Sequence, residues 1–279
     1  MSVAILADIH GNLAALEAVL AHLQQVQPDL VVVNGDHINR GPQNRQVIER
    51  LWELAQQQPQ RYQFVLGNHD DLVVGWSQRR ADLARHFDDP LYCPVNFTTG
   101  QLDMPHLDWL ASLPAQFFQP ESGLRVAHGS PRHLREGIGA GTPPPDLEVI
   151  AQQFPAQVYV GSHTHKPFSR LYQNRLFLNS GAVGSPFNGD PRAQYLLMEP
   201  HQLRFIRVPY DRQLTLEAFR TSGLLDCGLG AEVFYQELLS ARSLLTPFWI
   251  WAERHHHPRD RRSWSLYQKA HPERFLEAH

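Results

Sequence analysis

Short apolar runs closed by polar turns recur through the first two thirds of the chain. Residues 3–6 (VAIL) and 30–33 (LVVV) are brief and rich in β-branched side chains, the pattern of strands buried on both faces. Between them Leu13, Leu16, Val19, Leu20 and Leu23 recur at helical spacing, so residues 12–25 predict an amphipathic helix. This strand–helix–strand unit leaves its loops at the carboxyl ends of the strands. Further strands are predicted at residues 63–66, 124–127, 157–160, 175–178, 194–198 and 203–208, and helices at 42–57, 146–154 and 214–222.

Two stretches interrupt the alternation. Residues 71–101 mix charges with Trp76, Phe87 and Tyr92 without a clean period, and read as a partly helical insertion; residues 137–145, rich in Pro and Gly, read as a loop. After about residue 223 strands are no longer predicted. Residues 233–254 read as helix, with Pro247 expected to break or kink it, and a polar, basic stretch follows. The chain thus divides into a domain at 1–222, carrying the insertion at 71–101, and a helical C-terminal extension at 223–279. Leu244, Leu245, Phe248, Trp249 and Trp251 give that extension a large apolar surface, which predicts packing on the main domain or a homo-oligomer.

Composition sets the outer bounds. With 42% hydrophobic and 19% charged residues, the chain can bury a sizeable core and is not disordered. A net charge of −3 with no basic block gives no strong nucleic-acid signal. Cys93 and Cys227 match no zinc or redox spacing, which fits a reducing compartment. The opening MSVAILADIHGN has no basic leader and meets a carboxylate at Asp8, so neither a signal peptide nor a membrane span is expected. A cytoplasmic protein is the expectation.

The chemistry lies in six segments that follow predicted strands. They are Asp8-Ile9-His10, Gly35-Asp36, Gly67-Asn68-His69-Asp70, Ala127-His128-Gly129, Gly161-Ser162-His163-Thr164-His165 and Asn179-Ser180-Gly181. Each opens a turn where side chains can converge on one crevice at the carboxyl ends of the strands. Any one alone is weak, since Asn68 can cap a helix and paired histidines can flank a strand end. Six in order, offering oxygen and nitrogen donors without thiolate, point to first-row divalent metals.

The order D-x-H, GD-x-x-x-R-G, GNHD, H-G, G-x-H-x-H resembles the calcineurin-like metallophosphoesterase superfamily. Residues 179–184 (NSGAVG) and 189–193 (GDPRA) also resemble its small prokaryotic branch, and the match spans about residues 3–210. The resemblance implies an α/β four-layer sandwich, two mixed β-sheets flanked by helices. It implies two divalent metal ions, one held by Asp8, His10, Asp36 and His165, the other by Asp36, Asn68, His128 and His163. Asp36 bridges ions roughly 3.5–4 Å apart, and a shared hydroxide attacks phosphorus. Manganese is expected, with Fe, Zn, Ni or Co admitted by the same donors.

His69 is assigned as general acid or transition-state stabiliser at the leaving oxygen, and Asp70 either orients it or caps the following helix. Arg40 corresponds to a phosphate-binding arginine in the superfamily's protein phosphatases, where Asp usually stands in place of Asn39; His37 also departs from that pattern. Asn12 reads as a helix cap, Arg132, His133 and Arg192 as candidate substrate contacts, and His255-His256-His257 as a solvated helix end or interface. The expected activity is hydrolysis of a small-molecule phosphomonoester or phosphodiester. Dinucleoside polyphosphate hydrolysis and protein Ser/Thr phosphatase activity are the rivals within enzymes, and a non-catalytic metal-binding scaffold is the rival outside them.

Overall fold

The computed structural model describes residues 1–278. Its ten strands are β1 (Val3–Leu6), β2 (Leu30–Asn34), β3 (Tyr62–Val65), β4 (Gln116–Gln119), β5 (Leu124–Ala127), β6 (Val158–Gly161), β7 (Phe168–Tyr172), β8 (Arg175–Asn179), β9 (Ala193–Glu199) and β10 (Gln202–Val208). They form two mixed five-stranded sheets, ordered β10-β9-β1-β2-β3 and β4-β5-β6-β8-β7. In the first, β1, β2 and β3 run parallel; in the second, β5, β6 and β8 do.

The helices of the main body are α1 (Leu13–Val26), α2 (Asn44–Gln57), α3 (Asn68–Ser77), α4 (Cys93–Gly100), α5 (Met104–Ser112), α6 (Pro144–Gln153) and α7 (Arg212–Thr221). Alternate strand residues explain the layering. Ile5, Val32 and Val65 of the first sheet meet Val126, Val160 and Leu178 of the second in one apolar layer between them. Ala4, Leu6, Val31 and Val33 face outward onto Leu16, Val19, Leu20 and Leu23 of α1 and Val47 and Leu51 of α2. Leu147 and Ile150 of α6 cover Tyr159 and Phe177 on the far side. The expected four-layer α/β sandwich is the observed one. Strands buried on both faces have no polar side to display, which is why they read as continuous apolar runs.

Strands β4 and β7 were not predicted. Both are edges of the second sheet, and residues such as Phe118 and Leu171 point their apolar side chains to solvent, so no alternation marks them. The loop expected at 137–145 ends early, because Pro144 and Pro145 open α6, where a missing N–H costs nothing. Residues 71–101 are mainly helical: α3, two short 3-10 turns and α4 pack Leu72, Val73, Trp76, Leu83 and Val95 with α5.

Beyond α7 the chain forms α8 (Leu229–Ser240), α9 (Leu245–Arg254) and α10 (Arg261–Ala270). The helix expected across 233–254 breaks at Ala241, which takes a left-handed φ of 49°, and not at Pro247. Pro247 lies in the first turn of α9, where proline is tolerated. Leu244 and Phe248 are buried with Trp264, Tyr267 and Leu91 of the insertion, and Phe234 and Leu238 pack on Leu216 and Phe219 of α7. Cys93 and Cys227, 134 positions apart, bring their Sγ atoms to 2.8 Å at this junction. Among the described residues no helix is long and apolar enough to cross a membrane.

Candidate metal centre

Five parallel strands deliver the predicted ligands to one crevice. Asp8 follows β1, Asp36 follows β2, Asn68 opens α3 after β3, His128 follows β5, and His163 and His165 follow β6. The backbone turns sharply to aim them: Asp8, His10, Asp36, His163 and His165 all have φ between 50° and 58°. A non-glycine residue in this left-handed region costs about 1–2 kcal/mol, and such strain gathers where function holds a side chain in place. Gly67 is required at the same point, because a Cβ there would overlap the backbone nitrogen of Asp36.

One ligand atom from each of Asp8, His10, Asp36 and His165 falls within 4.8 Å of the others, and the same holds for Asp36, His128 and His163. Asp36 belongs to both groups. His165 Nε2 stands 3.2 Å from Asp8 Oδ1, His128 Nε2 3.3 Å from Asp36 Oδ2, and His10 Nε2 3.6 Å from Asp36 Oδ2. Asn68 Oδ1 is 3.0 Å from His128 Nε2. Three rings are pinned from behind: Nδ1 of His10, His128 and His165 meets the carbonyl oxygens of Ile38, Asn34 and Ser185 at 3.3, 2.9 and 2.5 Å. Donation from Nδ1–H leaves Nε2 of each ring as the atom turned toward the carboxylates, the one a metal would take once it is unprotonated.

This donor set fits divalent cations. Both oxygens of Asp8 and Oδ2 of Asp36 are buried without a hydrogen-bond partner, a costly arrangement that a cation relieves. Burial, reinforced by the charge of Arg40, holds His10 well below its usual pKa. Burial and neighbouring His128 lower His163 to about 4. His128 goes the other way: burial opposes its charge, but the Asp36 carboxylate beside it, with Asp8, raises it to about 10. Asp36 stays well below the carboxylate range, with the neighbouring charge of His128 foremost among the groups that outweigh its burial.

His69 lies beside the ligands, and its partner is not the one expected. Asp70 makes no hydrogen bond to the His69 ring. Its oxygens accept from the backbone N–H groups of Asp36, His37 and Gly67 and meet His37 Nδ1 at 2.8 Å. Asp70 therefore ties the start of α3 to the turn that carries Asp36, which includes the capping geometry and replaces the orienting one. The group on His69 Nδ1 is Asn39 Nδ2, at 2.9 Å. Asn39 Oδ1 accepts from the Arg40 N–H at 2.9 Å, which fixes the amide with its NH2 toward His69. An amide NH2 donates, so His69 Nδ1 accepts and the proton sits on Nε2. Burial lowers the His69 pKa to about 3, with Arg40 and Arg135 adding to it against the pull of Asp36. His69 is a neutral N–H donor.

Arg40 is nearly buried and ion-paired to Glu237 of α8. Its guanidinium lies 4.4 Å from the Phe234 ring centre and 5.3 Å from that of Phe187. Both Arg40 and His69 line a cavity of about 740 Å³ that opens beside Asn68 and His163. Of the other candidates, Asn12 caps α1 by accepting from the Ala15 N–H. Arg132 is paired with Glu136 and Arg192 with Asp190, and neither of them, nor His133, lines this cavity. His255 and His257 stack about Trp251, outside the ligand groups. The sequence did not reveal Asn39 as the partner of His69, Arg135 and Lys166 at the cavity, or which side chains of α8 and α9 reach it, although packing of the extension on the main domain was expected. Asn39, directly before Arg40, and Lys166, directly after His165, each sat beside a motif residue, whereas Arg135 carried no such signal.

Carboxylates and imidazoles converging at the carboxyl ends of two packed sheets define an α/β sandwich with a candidate metal centre. The chain belongs to the calcineurin-like phosphoesterase family, which residues 1–167 match. It is 25% identical over 230 residues to the uncharacterized protein MJ0912 of Methanocaldococcus jannaschii, covering 75% of this chain and 88% of that one. A metallophosphoesterase crystal structure from Sphaerobacter thermophilus superposes with a TM-score of 0.69 at 29% identity, over 86% of this chain and all of that one. The hypothetical protein PH1004 of Pyrococcus horikoshii shares the fold, with a TM-score of 0.73 at 20% identity over 87% and 99% of the two chains.

Proposed function

We propose that the chain hydrolyses small-molecule phosphate esters with two divalent cations, and that a phosphodiester suits it better than a monoester. The observation that carries the reading is the set of unpartnered oxygens on Asp8 and Asp36, faced by pinned imidazole nitrogens. Asp8, His10, Asp36 and His165 would hold one cation and Asp36, Asn68, His128 and His163 the other, with manganese the expected metal. Such ions supply Lewis acidity to the phosphoryl oxygens and bring water into its reactive form near neutral pH.

The protein's own part is positioning. His69, neutral and protonated on Nε2, donates a hydrogen bond to the departing oxygen instead of delivering a full proton. Arg40, stacked between two rings, presents the edge that Glu237 leaves free to a phosphoryl oxygen. Its pairing with Glu237 cancels much of its charge, which disfavours the dianion of a monoester relative to the monoanion of a diester. The 740 Å³ cavity leaves room for a second ester arm. Tyr92 and Pro94 of the insertion and Phe234, Leu245 and Trp249 of the extension stand as walls around it, which suits a small ester better than a folded protein substrate.

Initial rates of the Mn²⁺-loaded protein on a chromogenic monoester and the matching diester, side by side, test the proposal. Higher kcat/KM for the diester is expected. Preference for the monoester would overturn the diester assignment, and turnover of neither with metal bound would overturn hydrolysis.

A further inference from the structure

The helices of the extension serve two surfaces, their own core and the cavity beside the metal centre. In α9, Phe248 and Ala252 are fully buried and, with Leu244 just before the helix, face the extension's core. Leu245 and Trp249, four residues apart and so on one face of the helix, pack partly against that core, with the Arg259 guanidinium 4.8 Å from the Trp249 ring centre, and also line the cavity beside Asn68, His69 and His163. Phe234 and Glu237 of α8, three apart, line it too. From the main body come Tyr92 and Phe187. Phe187 stacks on the His165 ring, with centroids 4.3 Å apart and planes 8° from parallel, and Arg40 stands between Phe187 and Phe234. A row of flat groups thus runs from the metal centre to the extension.

Apolar side chains left half-exposed in a concave site beside charged chemistry are the usual lining for the apolar part of a ligand. Aromatic rings favour flat partners, by stacking or by edge contact. We propose that α8 and α9 form the specificity wall of the phosphoesterase, and that the ester arm it selects is a bulky aromatic group. Trp249 is its principal determinant and Leu245 its neighbour. This rests on the phosphoester reading for the position of the phosphoryl group, which the ligands beside Asn68 and His163 would bind. Glu237 is a positioning residue here: its Oε1 accepts from the N–H groups of Leu244 and Leu245 at 2.7 and 3.0 Å, while its Oε2 holds Arg40. One carboxylate therefore fixes both the start of α9 and the arginine that faces the phosphate.

Calorimetric binding of 2-naphthylmethylphosphonate and methylphosphonate to the full-length, Mn²⁺-loaded protein tests the wall, since the shared phosphonate head cancels in the comparison. The naphthyl compound is expected to bind at least about tenfold more tightly, the range an apolar pocket can discriminate. Trp249→Ala should remove most of that ratio, and Trp249→Phe should keep most of it. Trp251→Ala, in the same helix but turned onto His255 and His257, should leave it unchanged. Equal affinities in the wild type, or a ratio that survives Trp249→Ala, would overturn the proposal. Hydrolysis of the corresponding esters is read separately: an aromatic preference in binding with no turnover of any ester would refute the hydrolase and keep the pocket.

Discussion

Replacing Asp70 with asparagine separates a residue that builds the ligand turn from one that serves His69. Asp70 Oδ2 faces the Asp36 and Gly67 N–H groups, both at 2.9 Å, and His37 Nδ1 at 2.8 Å, while Oδ1 accepts from the His37 N–H at 3.0 Å. An amide of the same shape can keep the first three contacts with its oxygen, but then turns its NH2 onto the His37 N–H. A buried N–H left against a donor costs about 1–3 kcal/mol, and each of three bonds whose acceptor loses its charge weakens by about 1 kcal/mol. Burying a neutral amide in place of a carboxylate returns roughly half of that sum, so the net loss is about 2–3 kcal/mol. Urea unfolding of ion-free Asp70→Asn protein should show this loss, and Mn²⁺ affinity should fall with it because the same turn carries Asp36. Wild-type stability and metal affinity with a reduced kcat would instead mark Asp70 as a residue acting only through His69.

Three further outcomes follow from the same geometry. His69→Ala should keep its metal and lose about 10²-fold or more in kcat; because the folded pKa is lowered to about 3, the imidazole is already neutral above that pH. The pH–rate profile should therefore show no step between pH 5 and 9 that His69→Ala removes, and finding one would restore the acid role. His128, raised to about 10 in the ion-free protein, must shed a proton when metal binds, so Mn²⁺ affinity should climb with pH. Calorimetry at pH 7 in two buffers of different ionisation heat measures that release, and a buffer-independent heat would contradict it. Phenylarsine oxide, which bridges two thiols, should block Cys93 and Cys227 together at one equivalent in the native protein; separate reaction of the two would show that the extension does not dock on α4.

Where burial is two-sided and residues alternate only by depth, the strands were legible: β1 and β5 run over the residues their apolar patterns predicted. Edge strands were not, because β7 exposes Leu171 and mixes Ser169 and Arg170 into its pattern. The cluster of candidate ligands was legible because its members follow strands, whose carboxyl ends meet at one crevice. What lay hidden depends on contacts between distant residues. The Asn39–His69 contact spans 30 positions, and its meaning rests on which way an amide points. Arg40 and Glu237 are 197 positions apart, and no periodicity links them. The break between α8 and α9 was hidden because Ala241, a good helix former, takes the left-handed turn while the conspicuous Pro247 sits harmlessly in a first turn.

If two cations shared through Asp36 make this chain a phosphoester hydrolase, as proposed, turnover requires both. Adding Mn²⁺ stepwise to the ion-free protein while following hydrolysis of a chromogenic phosphodiester tests it most directly. No turnover is expected without metal, and the rate should reach its plateau only as the second equivalent binds. Full activity in the ion-free protein, or a plateau at one equivalent, would contradict it.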